Sequence, residues 1–327
     1  MTRSGQFPKR ISRRGFLIGG AGLIAATAGA YTVGGWIDEE TYQPPSINWT
    51  TPSDLSRPRA PEQPIAILID PESADSFGLY LGEILRTEGL NAFQFEDLGL
   101  IDAGYVAKFP IILLPPARLS QTQATLLAGY VDQGGALIAM QPDPAIASIF
   151  GVRPADGTTI EGYMVAHDDE DVVRGLAAAS VPLQIHAEAA YYELDGAFTI
   201  AELYRDRVTA TGFPAVTRFE RGLGRAAMFA YDLARNIALT RQGNPAAANQ
   251  DRDGAAGIRA NDLFVDWLDL DNIQSPQADI QARLLINLIA TMLRDRIPLP
   301  RLWYFPGQAR SLVIVAGDAH GAPVTFI

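Results

Sequence analysis

Phe109-Pro110-Ile111-Ile112-Leu113-Leu114-Pro115-Pro116, then a helix-length interval, then Gly134-Gly135-Ala136-Leu137-Ile138-Ala139-Met140: the fold is decided here. Both apolar runs are short, continuous and closed by proline or glycine. That pattern fits strands buried on both faces. Between them Ser120 opens a helix that reaches Gln133, with Gln123 placed three residues on to complete a capping box. Gly134-Gly135 then stops the helix. Two buried strands joined by a helix require a crossover, so they run parallel.

Upstream, Ile65-Ala66-Ile67-Leu68-Ile69 is another continuous apolar run, ending at Asp70-Pro71. The spacing of Phe77, Leu81, Ile84 and Leu85 predicts a helix over Ser73 to Glu88, stopped by Gly89. Asn91 to Phe95 reads as a further strand. The alternation predicts an α/β fold: a doubly wound, flavodoxin-like parallel sheet with helices on both faces. Ligands of such sheets bind beyond the carboxyl ends of the strands, which here are Asp70, Pro115 and Gln141.

Past residue 150 the rhythm changes. Residues 158–165, 183–186, 191–194, 199–204, 215–219 and 224–231 read as strands of an added β-rich segment. Gly222-Leu223-Gly224 is a tight hairpin entry into the last of them. A helix begins near Ala278 and runs to Leu293. Residues 240–262 are polar and read as a long loop near the strand ends. Phe264, Trp267 and Leu268 have the spacing of a core helix.

The chain has 327 residues, 26 basic and 37 acidic, for a net charge of −11. Arg3, Lys9, Arg10, Arg13 and Arg14 precede the first acid, Asp38. Residues 15–327 therefore hold 21 basic and 37 acidic groups, a balance of −16. So acidic a body repels phosphate backbones, which argues against nucleic acid as a partner. The chain has no cysteine, which removes disulfides, thiolate metal sites and a thiol nucleophile. Its three histidines, His167, His186 and His320, are far apart in sequence. No metal or cofactor is expected.

Ser12-Arg13-Arg14-Gly15-Phe16-Leu17-Ile18 opens 21 uncharged residues, Phe16 to Trp36. Paired arginines before an apolar run rich in glycine and alanine resemble a twin-arginine export signal. The resemblance implies recognition of Arg13, Arg14, Phe16 and Leu17 by the twin-arginine translocase. The folded part would then lie outside the cytoplasm, freed or held by residues 16–36. Residues 37–64, with Pro44, Pro45, Pro52, Pro58, Pro61 and Pro64, read as an extended spacer. The expected organisation is signal or anchor 1–36, linker 37–64, α/β domain 65–297, and linker with the start of another domain 298–327.

The order of elements through residues 109–138, with Val172-Val173-Arg174-Gly175-Leu176 and Gly222-Leu223-Gly224-Arg225, resembles the class I glutamine amidotransferase-like superfamily. The ThuA-like and β-galactosidase trimerisation-like branches look nearest. Members with amidotransferase activity carry a cysteine at the sharp turn after a central strand and a histidine after a late strand. Here those places hold Gln141, in Met140-Gln141-Pro142-Asp143, and Asp232, in Tyr231-Asp232-Leu233-Ala234-Arg235. A carboxamide is no nucleophile, so the resemblance implies a fold without glutamine hydrolysis. Arg310 to Gly321 resembles the opening strand of a NodB-type polysaccharide deacetylase. Asp318 would match the catalytic base, and Ala319 stands where that family places a metal ligand. The chain then reads as a domain followed by a truncated deacetylase-like start.

The candidate ligand-binding residues are Asp70, Gln141, Asp232, Arg235 and Asn236, joined by Asp251, Asp253, Arg259 and Asn261 from a loop expected over the same mouth. Asp251-Arg252-Asp253-Gly254 is like half a calcium loop, but Asp262 replaces the closing glutamate. His167 to Asp171 reads as the acidic start of a helix. Three roles stay open: a non-catalytic carbohydrate-binding or supporting module, a sugar hydrolase using Asp70, Asp232 and Asp251, or an adaptor docking a partner through residues 298–310.

Overall fold

The computed structural model describes residues 63–302, apart from 72–76, 168–170, 174–175, 177–180 and 273–274. These residues belong to one compact unit beginning at Asp54. The signal residues Arg13, Arg14, Phe16 and Leu17, the linker up to residue 62, and the tail carrying Asp318 lie outside the described residues.

Strands β1 (Ile65–Ile69), β2 (Phe93–Asp97), β3 (Ile111–Leu114) and β4 (Ala136–Met140) form as the apolar runs predict, β2 two residues later than expected. Helices α1 (Phe77–Thr87), α2 (Ala103–Val106) and α3 (Gln121–Asp132) lie among them. The Ser120–Gln123 capping box closes in both directions. Downstream come β5 (Val152–Thr159), β6 (Gly162–Ala166), β7 (Leu183–Ile185), β8 (Ala189–Leu194), β9 (Phe198–Tyr204), β10 (Ala210–Arg221) and β11 (Gly224–Phe229). Helices α4 (Leu233–Gln242) and α5 (Gln277–Leu293) follow.

The main sheet has nine strands in the order β2-β1-β3-β4-β11-β10-β9-β6-β7. The first five run parallel; the β10–β11 hairpin reverses direction, and the last four strands pair antiparallel. Strands β5 and β8 form a separate pair. Residue parity in β1 explains the layering. Ile65 and Ile67 face a core with α1, α4 and α5, while Ala66 and Leu68 face a second core with α2 and α3. Each fully buried Leu or Ile in these layers contributes about 1.5–3 kcal/mol. Among the described residues no helix is long and apolar enough to cross a membrane.

Three expectations are corrected. The run 158–165 is two strands, because Glu161 turns the chain at φ +54 and sends β5 into the small sheet. Trp267 is not on a helix: a 3-10 turn, Ala260–Phe264, ends before it and Asp266 turns at φ +57. Residues 240–262 are not one long loop, since they hold the end of α4 and two 3-10 turns.

Arg225 at the start of β11 grips the end of α5. Its guanidinium donates to Asp295 at 2.6 and 2.7 Å and to the Met292 carbonyl at 2.7 Å. That hydrogen bonding holds the Asp295 carboxyl down to about 2. A carboxyl lowered in the folded state stabilises above its unfolded value of about 4 and loses that contribution as pH falls towards its folded value. Asp295→Asn should therefore unfold at a lower temperature than the parent above pH 4, with the gap closing towards pH 2. A gap of equal size at pH 2 and pH 7 would contradict the pairing.

Candidate functional site

The parallel strands end at one pole. Asp70 follows β1, Pro115 follows β3, Gln141 follows β4 and Asp232 lies just past β11. With neighbouring strands about 4.8 Å apart, Gln141 and Asp232 leave adjacent strands. Asp70 leaves β1, three positions from β11 and so roughly 14 Å across the sheet.

Gln141 sits at φ +44, in the left-handed region that side chains other than glycine seldom adopt. Three contacts hold it there. Its amide donates to the Phe229 carbonyl at 2.7 Å. Pro142 follows, with its carbonyl accepting from the buried Tyr192 hydroxyl at 2.9 Å. Asp143 then caps the next 3-10 turn through the Ala145 amide at 2.9 Å. The result is a sharp strand-to-turn corner with the Gln141 side chain at its tip, half-buried.

Asp232 is 5% exposed and caps α4, its Oδ1 accepting from the Arg235 amide at 3.1 Å. Arg235 is exposed and places its guanidinium 5.7 Å from the centre of the Phe77 ring. Phe77 opens α1, where Ile69, Asp70, Gly78 and Pro115 line a small cleft. Asp70, Gln141, Asp232 and Arg235 thus belong to the strand-end pole.

Asn236 does not open into this pole. It is fully buried and spends its carboxamide on the fold. Its Oδ1 accepts from the His186 amide at 2.6 Å, and its Nδ2 donates to Gln281 Oε1 at 2.9 Å and the Gln184 carbonyl at 3.3 Å. Gln277 Oε1 takes the Gln184 amide at 2.6 Å, and Gln281 Nε2 reaches the Gln184 carbonyl at 3.0 Å. Side-chain amides therefore satisfy the outer edge of β7 that a further strand would otherwise pair. Next to it the buried His186 ring stacks on Trp267 at 4.2 Å, and its Nδ1 lies 2.8 Å from Glu161 Oε2.

The loop with Asp251, Asp253, Arg259 and Asn261 does not cover Asp232. It hangs from the carboxyl end of α4, where the Asn244 amide donates to the Leu263 carbonyl at 2.8 Å. Ten helical residues span about 15 Å, so the loop begins that far from Asp232. Its acids fold the loop on itself. Asp262 accepts from the amides of Arg252, Asp253 and Arg259 at 2.6–2.8 Å. Asp253 pairs with Arg259 at 2.6 Å, and Asp251 accepts from the Gly257 amide at 2.9 Å. These amides hold the Asp262 carboxyl below its ordinary value, and the Arg259 guanidinium does the same for Asp253. Oxygens of Asp251, Asp253 and Asp262 come within 4.8 Å of one another, but every one of these carboxylates already serves the loop. Asn261 is exposed on the 3-10 turn.

A carboxylate pair for glycoside hydrolysis needs a separation of about 5–10 Å. Asp70 and Asp232 leave strands whose axes are roughly 14 Å apart, and the loop of Asp251 follows the far end of α4. Of the acidic stretch after His167, residues 168–170 lie outside the described residues, and Asp171–Val173 form one 3-10 turn.

No family model and no curated protein sequence matches the chain. Among solved structures it is similar to a cold-adapted β-galactosidase from Rahnella sp. R3, with 14% identity and a TM-score of 0.48 over 73% of this chain and 32% of that one. It is similar to α-L-fucosidase isoenzyme 2 from Paenibacillus thiaminolyticus, with 12% identity and a TM-score of 0.48 over 72% of this chain and 33% of that one. A third likeness is to the cytoplasmic protein STM3548 from Salmonella typhimurium, with 12% identity and a TM-score of 0.44, covering 70% of this chain and 98% of that one. The chain spans about a third of the length of the two glycosidases. Likenesses of this degree assign it neither a family nor a chemistry.

Proposed function

We propose that this chain is an exported, non-catalytic α/β module that binds carbohydrate at the carboxyl ends of its parallel strands and supports a polysaccharide-deacetylase-like protein of the cell envelope. The observation that carries the reading is Gln141. It occupies a strained corner after β4, which the sequence resemblance would match to the nucleophile position of the amidotransferase-like superfamily, and its carboxamide cannot attack a carbonyl. By the same resemblance Asp232 would match that superfamily's histidine, and it is engaged in capping α4. What remains at the pole is recognition chemistry: the Asp70 carboxylate, the Gln141 amide and the Arg235 guanidinium, which between them offer acceptors and donors to hydroxyl groups. The strand order β2-β1-β3-β4-β11 is that of a flavodoxin-like half-sheet and supports the finer fold assignment. Export by the twin-arginine translocase and a deacetylase-like continuation around Asp318 rest on sequence resemblance.

Titration calorimetry of the full chain with soluble oligomers of N-acetylglucosamine tests the reading. Binding is expected, with the oligomer recovered unchanged. Gln141→Ala and Arg235→Ala should each weaken it about fivefold or more, fivefold being the worth of one ordinary hydrogen bond. No heat at millimolar oligomer, or hydrolysis of the oligomer, its acetyl groups or glutamine, would overturn it.

A further inference from the structure

The chain leaves the described fold along a docked strap. Pro298 and Pro300 remove two backbone donors from this stretch, yet it is not a loose spacer. Ile297 and Leu299 pack against the main core. Arg301 donates from Nε to the Glu88 carbonyl at 2.6 Å and from Nη2 to Glu88 Oε2 at 2.5 Å. The Leu302 amide donates to the Gly89 carbonyl at 2.9 Å. Gly89 is at φ +84, and a Cβ there would lie 2.4 Å from the Leu302 carbonyl oxygen. That close approach is why the position needs glycine.

Glu88 explains the selectivity of the dock. Glu88 is 4% exposed and follows the last residue of α1, where the helix dipole disfavours negative charge. Arg283 from α5, 2.5 Å away, supplies one counter-charge and Arg301 the second. A buried carboxylate bridged by two guanidiniums is a specific receptor for one arginine of the strap.

The dock also sets a direction. Gly89 lies four residues and so at most roughly 14 Å before Phe93, the first residue of β2, and Leu302 is hydrogen-bonded to it. Phe93 pairs with Ile65, and just ahead of Ile65 the incoming chain is fixed by the Gln63 amide donating to Gln94 Oε1 at 3.1 Å. The chain enters and leaves at the amino ends of β1 and β2. Asp70 and Gln141 lie at the opposite pole, about 16 Å away along a five-residue strand.

We propose that Arg301 and Leu302, clamped on Glu88 and Gly89, form a strap that fixes the departure of the following polypeptide beside the arrival of the preceding one, so that the strand-end pole faces away from both. The partner of this surface is the chain's own continuation. The proposal stands whether or not the opposite pole binds sugar.

The full chain has no cysteine, so spin labels attach only where a cysteine is introduced. Thr122→Cys on α3 combined with Leu302→Cys should give one narrow inter-label distance distribution. Arg301→Gln in that background should broaden it at least twofold, and Arg301→Gln alone should speed Leu302 amide exchange about tenfold or more, with the unfolding temperature of the body close to that of the parent. Gly89→Ala should broaden it as well. A broad distribution in the parent, or an unchanged narrow one in Arg301→Gln, would overturn the strap.

Discussion

Gly224→Ala is expected to cost about 3–5 kcal/mol and to lower the folded fraction sharply. A Cβ at Gly224 would lie 2.0 Å from the Val131 carbonyl oxygen and 2.5 Å from that of Gly135. Both are backbone atoms, so no side-chain rotation relieves the clash. The first residue of β11 would have to leave the end of α3. Doing so breaks two ties, from the Arg225 amide to the Gly135 carbonyl at 3.2 Å and from the Leu223 amide to the Asp132 carbonyl at 3.1 Å. Overpacking costs about 1–3 kcal/mol or more, and each lost hydrogen bond about 1 kcal/mol. Gly129, on the same helix α3, is the internal control. Nothing lies within 4 Å of its would-be Cβ, so Gly129→Ala should stabilise by about 0.5–1 kcal/mol. Urea unfolding midpoints check both. A Gly224→Ala midpoint equal to the parent's would contradict the close approach.

The second large effect is expected at Asn236. Leucine there would leave the His186 amide, the Gln184 carbonyl and Gln281 Oε1 each short of a partner. Buried polar groups left unsatisfied cost about 1–3 kcal/mol each. The Gln184 carbonyl keeps Gln281, and Gln281 Oε1 keeps the Tyr231 hydroxyl at 2.7 Å, which softens two of the three losses. The sum is about 3–5 kcal/mol, or roughly 10 °C in unfolding temperature for a domain of this size. Asn236→Asp keeps the acceptor for His186 but buries a carboxylate against the Gln184 carbonyl and Gln281 Oε1, so it should be at least as destabilising as Asn236→Leu. Calorimetric unfolding orders the three. Asn236→Leu matching the parent would mean that the amide network does not hold the edge of β7.

The parallel half of the sheet is legible in the sequence because its strands are buried on both faces. Ile111 to Leu114 and Ala136 to Met140 stand out without any alternation to decode, and Ser120 with Gln123 marks the intervening helix. The antiparallel half is harder. Glu161 itself turns the chain at φ +54, while the neighbouring Gly162 is already the first residue of β6, so β5 and β6 look like one strand. Helix α4 did leave a signal, an Asp232 cap followed by apolar Leu233, Ala234, Ile237 and Ala238. The same residues invite a reading as a polar mouth, because Asp232, Arg235 and Asn236 stand close together in sequence. Helical spacing divides them: Arg235 points to solvent and Asn236 into the core. The role of Asp251 and Asp253 turns on which end of α4 the loop follows, and local pattern does not carry that. The amides of Gln184, Gln277 and Gln281 are nearly 100 residues apart in sequence at the extreme, and only the sheet edge brings them together.

The central claim is that the strand-end pole recognises carbohydrate and does not transform it. Hydrogen-exchange footprinting of the full chain, with and without saturating soluble envelope glycan, tests it most directly. The account predicts slowed exchange at the amides after β1, β4 and β11, around Asp70, Gln141 and Arg235, and none in the loop of Asp251 to Asn261. Protection confined to that loop, or no protection anywhere, would contradict it.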